Sequence, residues 1–196
     1  GSVYRCRMTL KALKKQLDEG FMEVKRGCMI AVSAISDIGD KILLSNGEEI
    51  CYTKRKKKAL REELQKKQEL MIAKISKKKL PLTPEEYGKY YKICDSLPFA
   101  FTDIEMVFNE EKKAVDWIFR YGNEALATLE KLPLDKMIGN SFSSLFSNMD
   151  AKWLHVYERA TLYGETLEIM DYSPEIDTNL KIICFPTFPG HCGCIL

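Results

Sequence analysis

The sequence lacks any apolar run approaching the roughly 20 residues that a membrane-spanning helix needs, which excludes an integral helical membrane protein. Histidine is scarce, with two in 196 residues. So few cannot complete a C-x-x-C…H-x-x-x-H zinc set, and Cys192-Gly193-Cys194 does not have zinc spacing. No P-loop, G-x-S-x-G elbow, pair of catalytic carboxylates or Cys/His dyad stands at a recognisable spacing. No catalytic residue, metal ligand or enzymatic activity is therefore assigned. Gly1-Ser2 reads as an expression scar, and no signal-peptide pattern follows it. The expected compartment is the cytoplasm. The seven cysteines, at 6, 28, 51, 94, 184, 192 and 194, are expected to be buried thiols of a cytosolic protein. Metal or disulfide chemistry is the open alternative. On a strand, Cys192 and Cys194 would point to the same face.

What the sequence does have is an uneven distribution of charge. Residues 1–80 carry 20 Lys/Arg against 10 Asp/Glu, while residues 81–196 carry 10 against 18. The net charge of +2 thus conceals a basic half and an acidic half. Phosphate binding scales with local positive charge, so this asymmetry points to a nucleic-acid partner for the first half. The change of sign falls near Pro81-Leu82-Thr83-Pro84, which breaks any helix arriving from upstream.

Along the first half, Val3–Arg7 reads as a short strand. Thr9 can cap a helix Leu10–Leu17, with Leu10, Leu13 and Leu17 on one face and Asp18-Glu19-Gly20 ending it. Phe21–Ile30 and Ile35–Ile38 are β-rich, with Gly39-Asp40 as a turn. Asn46-Gly47 between Lys41–Ser45 and Glu48–Thr53 is a hairpin signal. A long helical pattern then runs from Lys54 to about Lys79. Its seam of Leu60, Leu64, Met71 and Ile75 suits either a short dimeric coiled coil or a solvated connector.

In the second half, Tyr87–Asp95 reads as a helix packed by Tyr87, Tyr90, Tyr91 and Ile93. Strands are expected over Phe99–Phe108 and Val115–Tyr121, around a polar turn Asn109–Lys113. Helices are expected over Asn123–Leu129, Leu134–Phe146 and Lys152–Tyr163. Strands Glu165–Tyr172, Leu180–Thr187 and His191–Leu196 close the chain. Two strands, a helical middle and a three-strand meander imply a five-stranded antiparallel sheet with helices on one face. The fold class is α+β, with a mostly-β first module, a connector helix and this sheet domain.

Four pieces of the first half occur in the order Met8-Thr9-Leu10-Lys11-Ala12-Leu13…Leu17…Gly20-Phe21, Val24-Lys25-Arg26-Gly27-Cys28-Met29-Ile30, Asn46-Gly47-Glu48 and Thr53-Lys54-Arg55-Lys56. Together they resemble the LytTR DNA-binding domain of bacterial response regulators. The resemblance implies duplex DNA as partner, contacted by Lys25 and Arg26 and by Lys54 and Arg55. Arginine can fork onto guanine O6 and N7, and lysine neutralises phosphate as a point charge. Three central-strand residues depart from the family pattern, at Lys25, Gly27 and Ala31. The family's first strands would lie upstream of Val3, so the domain is expected to be partial, over residues 3–56, followed by a connector helix over 57–79.

The second half, residues 85–196, resembles a PAS sensor domain. Asp116-Trp117-Ile118-Phe119-Arg120-Tyr121-Gly122-Asn123-Glu124-Ala125-Leu126 and Leu134-Asp135-Lys136-Met137-Ile138-Gly139-Asn140-Ser141-Phe142 carry the likeness, with Gly190-His191-Cys192-Gly193-Cys194-Ile195-Leu196 as its final strand. The resemblance implies a pocket between sheet and helices, formed by Phe146, Trp153, Tyr157, Ile169, Ile183 and Phe185. No cofactor follows, since the flavin-adduct cysteine motif is absent and His155 alone is a weak haem signal. A small apolar or acidic ligand and a homodimer are the expected partners.

The expected function is a signalling protein in which a PAS domain senses a signal and modulates LytTR-type DNA binding. Two alternatives stay open. One is the sensor fragment of a larger signalling enzyme such as a diguanylate cyclase, and the other is a ligand-free PAS dimerisation scaffold.

Overall fold

The computed structural model describes residues 7–78, 82–147, 150–174 and 176–196. The strand expected over Val3–Arg7 falls outside these except for Arg7, as do Cys6, Lys79 and Pro81. The chain divides into two compact units, residues 1–70 and 71–196. It is α+β throughout.

The N-terminal unit opens with α1 (Leu10–Gln16), where the Thr9 hydroxyl accepts from Ala12 N at 3.2 Å, a side-chain N-cap. Strands β1 (Phe21–Lys25) and β2 (Cys28–Ala31) form a two-stranded antiparallel sheet. The continuous β stretch expected over Phe21–Ile30 is thus a hairpin turned at Arg26-Gly27, with Gly27 at φ +80°. Strands β3 (Ile35–Ile38), β4 (Ile42–Leu44) and β5 (Glu49–Ile50) form a second antiparallel sheet. The hairpin expected at Asn46-Gly47 is present. Only Gly47 has positive φ (+83°), and Gly47 N donates to Leu44 O, so a three-residue loop closes it rather than a turn with both central residues left-handed. Met22, Val24, Ile30, Val32, Ile35, Ile38, Ile42 and Leu60 make the small core.

A 3-10 turn (Lys54–Lys56) leads into α2 (Lys57–Lys78). Within the N-terminal unit, Arg61 Nε donates to Ile38 O at 2.8 Å and Lys67 Nζ to Glu19 O at 2.8 Å. Of the expected seam, Leu60 is buried and Leu64, Met71 and Ile75 are half-buried; Ile72, off the seam, is buried as well.

In the C-terminal unit, Thr83 and Glu86 form a reciprocal capping box with Pro84 at the first position of α3 (Pro84–Tyr90). Pro84, expected to break a helix, thus starts one. The single helix expected over Tyr87–Asp95 is α3 plus a 3-10 segment, Lys92–Ser96. Tyr87 and Tyr91 are buried; Tyr90, 65% exposed, still lays its ring against Tyr91 and Phe188 at 4.9 and 4.8 Å, whereas Ile93 stands 81% exposed. The five-stranded antiparallel sheet comprises β6 (Phe101–Phe108), β7 (Ala114–Gly122), β8 (Leu167–Ser173), β9 (Thr178–Pro186) and β10 (His191–Ile195), in spatial order β7-β6-β10-β9-β8. Between β7 and β8 lie α4 (Glu124–Glu130), α5 (Leu134–Met137), α6 (Phe142–Leu145) and α7 (Ala151–Tyr163). The helix expected over Leu134–Phe146 is thus two short ones, α5 and α6.

Buried Asn123 sets the step from β7 to α4. Its Oδ1 accepts from Phe101 N and Leu126 N, both at 3.1 Å, and its Nδ2 donates to Cys94 O and Phe99 O, both at 3.0 Å. Every polar valence of this amide is filled, as burial requires. The inner sheet face carries the main core, including Ile104, Trp117, Phe119, Leu126, Phe142, Trp153, Tyr157, Ile182 and the thiols Cys184, Cys192 and Cys194. The outer face carries a second cluster of Tyr87, Tyr91, Phe101 and Tyr121. A register shift between β6 and β7 leaves Arg120 opposite no single partner, so Phe119 pairs with inward Ile104 and Tyr121 with outward Asp103.

Candidate nucleic-acid interface and candidate ligand cavity

In the N-terminal unit, Lys25 ends β1 and Arg26 occupies the β1–β2 turn, both exposed. Lys54 and Arg55 lie in the 3-10 turn before α2, also exposed. Among the described residues, none of the four is held in an ion pair. The structure brings Lys54 and Arg55 into one open groove of about 430 Å³ with Lys57, Lys58, Arg61, Glu62 and Gln65. Lys25 and Arg26 do not line it. Lys56 nevertheless stands close enough to Glu23, on the neighbouring hairpin, to act on its charge. The Glu23 carboxyl lies below its usual range through its hydrogen bond with Lys14 first, then the Gly27 amide and the Lys56 charge.

The groove concentrates cations where a helix least wants them. The first turn of α2 has no acidic residue, and Lys54 through Lys58 all precede or open it. Each cation there opposes the helix dipole by about 0.3–1 kcal/mol at an exposed site. A bound polyanion would reverse that cost, because backbone N–H groups and side-chain cations would then face the same charge. Arg61 was not singled out by the sequence, and Lys57 only as a member of the basic run over residues 54–58. Their signal is the helical spacing of 54, 57, 58, 61 and 65, which places them on one side of the helix. Arg61 is fixed by the Ile38 carbonyl, and Lys57 lies 3.8 Å from Asp40.

In the C-terminal unit, a partly open cavity of about 40 Å³ lies between the inner sheet face and the helices. Trp153 and Tyr157 line it, together with Trp117, Phe119, Phe142 and Glu130. Phe146 stacks on Phe142 with centroids 4.7 Å apart, behind the wall, and Ile169 packs against the same core without lining the cavity. Ile183 and Phe185 are on the other side of the sheet. Along β9 the inward positions are Leu180, Ile182 and Cys184, so the odd-numbered residues face outward. Phe185 stacks on Phe101 at 6.4 Å and lies across Gly193, where a Cβ would come within 2.8 Å of its ring. Gly193 is therefore required by a neighbouring strand's aromatic ring rather than by a turn.

His155 is half-buried on α7 and does not line the cavity. Burial depresses its pKa first, and the charge of Arg159 adds to this. Its Nε2 is buried with no partner among the described residues. Cys192 and Cys194 face inward together, their sulfurs 3.8 Å apart, as their spacing on a strand predicts. Burial raises the Cys194 thiol pKa. Cys51, by contrast, is exposed, so the expectation of buried thiols fails there; it follows β5, where the N-terminal unit has little core to cover it. Among the described residues, no group of three His, Cys, Asp or Glu is placed to hold a metal.

The outer face holds a polar cluster the sequence did not disclose. Asp103 is 0% and His191 1% exposed. His191 Nδ1 lies 2.6 Å from Asp103 Oδ1, while Tyr91 and Thr187 hydroxyls donate to Asp103 Oδ2 at 2.7 and 2.5 Å. A donating Nδ1–H leaves Nε2 as acceptor for the Tyr87 hydroxyl, 3.3 Å away. Burial, then Asp103, raises the Tyr91 pKa, keeping it a neutral donor. Glu105 accepts from Arg120 at 2.6 Å on the same face. The only available signal was alternation along β6, which puts Asp103 and Glu105 on one face.

Residues 1–65 match the LytTr DNA-binding domain family. The matched region contains both loops at Lys25-Arg26 and Lys54-Arg55 and the first turns of α2. That family is one of DNA-binding domains. No curated protein matches the chain. No helix among the described residues is long and apolar enough to cross a membrane.

Proposed function

We propose that this protein is a transcription regulator whose C-terminal unit is a PAS-type sensor that modulates DNA binding by the N-terminal module. The observation that carries the DNA face is the groove of Lys54, Arg55, Lys57, Lys58 and Arg61 inside the matched residues. Arg26 and Lys25 supply a second contact from the hairpin turn, and the charge of Lys56 is felt by Glu23 on that hairpin. The sensor reading is supported by the sheet with its helices inserted between the second and third strands, and by the cavity those helices cover. The residues that resemble PAS domains fall on that step, with Asn123 at its turning point.

The test is binding to duplex DNA as a function of salt, followed by fluorescence anisotropy. Wild type should lose affinity steeply between low and physiological salt through counterion release, with a slope of about 0.9 per phosphate neutralised. Lys54→Ala with Arg55→Ala should weaken binding at least about tenfold and lower the slope by about 2. Arg26→Ala should add a further loss. Unchanged affinity in the double variant would place the DNA face elsewhere.

A second reading, a PAS dimerisation scaffold, has one observation in its favour. Tyr90 and Ile93 are exposed at 65% and 81%, and neighbouring Phe99 at 40%. Sedimentation of wild type beside Ile93→Lys measures it: a dimer that dissociates in the variant supports the scaffold, and a monomer in both removes it.

A further inference from the structure

Resting on the sensor reading above, we propose that the cavity of the C-terminal unit takes a small organic cation of the methylated-ammonium class. Five aromatic rings line it, those of Trp117, Phe119, Phe142, Trp153 and Tyr157, beside aliphatic side chains. Trp117 and Tyr157 meet edge to face, 5.1 Å apart at 86°, and Trp117 leans on Phe142 at 4.3 Å, so rings of differing orientation line the space. Aromatic faces carry partial negative charge, and a cation over several of them is held strongly once water is excluded.

The charge of the lining agrees with this. Glu130 is the one acidic residue on the wall, and no lysine, arginine or histidine lines it. The nearest basic groups on α7 are engaged elsewhere. Lys152 binds Asp150, Asp171 and Tyr172 O, and Arg159 binds Glu165. An anionic ligand would meet a carboxylate and ring faces with no countercharge. Of the hydroxyls on the wall, that of Thr102 is spent on Tyr121 O at 2.6 Å. Tyr157 stays a neutral phenol because burial raises its pKa. The free space of about 40 Å³ corresponds to about three water molecules, the bulk of a compact head group rather than of an extended metabolite.

Both tryptophans of the chain line this cavity, so intrinsic fluorescence reports its occupancy without a label. The full chain is titrated with tetramethylammonium and with tert-butanol, a neutral molecule of similar shape. Saturable quenching by the cation, with the alcohol weaker by about tenfold or more, is the expected result. Glu130→Gln should weaken the cation by about tenfold and leave the alcohol unchanged. Equal affinity for cation and alcohol, preference for acetate, or no saturable response to the cation would each overturn the proposal. The wild-type pair decides the matter even if the variant fails to fold. DNA anisotropy on the same samples separates the two readings. A cation that binds without changing DNA affinity removes the regulatory reading and supports the ligand class. A neutral or anionic compound that quenches and changes DNA affinity retains the regulation and overturns the class.

Discussion

Residues 1–70 keep their cations in the open, with Lys54, Arg55 and Lys58 exposed around a groove, whereas residues 71–196 take ionisable side chains indoors, with Asp103 and His191 almost fully buried. The N-terminal unit builds its core from strands of two to five residues. The C-terminal unit uses strands of five to nine and two apolar clusters, one on each sheet face. Exposed charge costs little stability and is free to meet a polyanion. Buried charge needs every partner in place and fixes one arrangement of strands and helix. The first unit is suited to being a surface, and the second to holding a defined internal state.

Three measurements would break or sharpen that contrast. The largest effect is expected from Asp103→Ala, which leaves His191, Tyr91 and Thr187 without their shared acceptor. It should cost about 3–5 kcal/mol, lowering the melting of the C-terminal unit while the N-terminal unit melts as before. A single transition that moves as a whole would show that the units do not unfold separately. Next, Ile42→Ala removes a side chain at 0% exposure in β4 and should cost about 2–5 kcal/mol, this time in the N-terminal unit alone. DNA affinity should fall with it, while tryptophan fluorescence, which comes only from the C-terminal unit, stays constant. The smallest effect concerns pH. His155 has a depressed pKa in the folded protein, so the unfolded chain takes up its proton first. Stability from this group is present above about pH 6.5 and is lost as pH falls through the lower folded value. Calorimetry of wild type and His155→Gln across that range should show a shallower acid slope in the variant; parallel slopes would remove His155 as the cause.

Much of the fold was legible because periodicity and end signals agreed. Thr9, Asn46-Gly47, Asn123 and the run from Lys152 to Tyr163 each pair a local chemical cue with a pattern of the right period. The illegible parts depend on pairing distant in sequence. Strand β9 reads Leu180-Lys181-Ile182-Ile183-Cys184-Phe185, apolar on both faces, so nothing local says which of Ile182 and Ile183 faces the helices. That placed Ile183 and Phe185 on the wrong side of the sheet. The extra residue at Arg120 shifts Tyr121 to the outer face, and only the β6–β7 register reveals it. In the N-terminal unit, Lys54 and Arg55 were legible as a basic run, and Arg61, on the helix expected there, joined them only through the groove they line together. The Asp103–His191 contact spans 88 positions and has no local trace.

That separation also sets an order of events. The sheet's central strand, β10, follows the other four in the chain, yet β6 and β9 both bond to it. During synthesis, the β6–β7 and β8–β9 hairpins can close while β6 and β9 still expose a bare edge each. Asp103 then waits, without its imidazole partner, for a residue made 88 steps later. Long-range closure of this kind is slow, and an open edge invites pairing with other chains. The same cluster that gives the finished unit one arrangement makes its nascent form the stage most exposed to misassembly, a window that closes only when His191 docks.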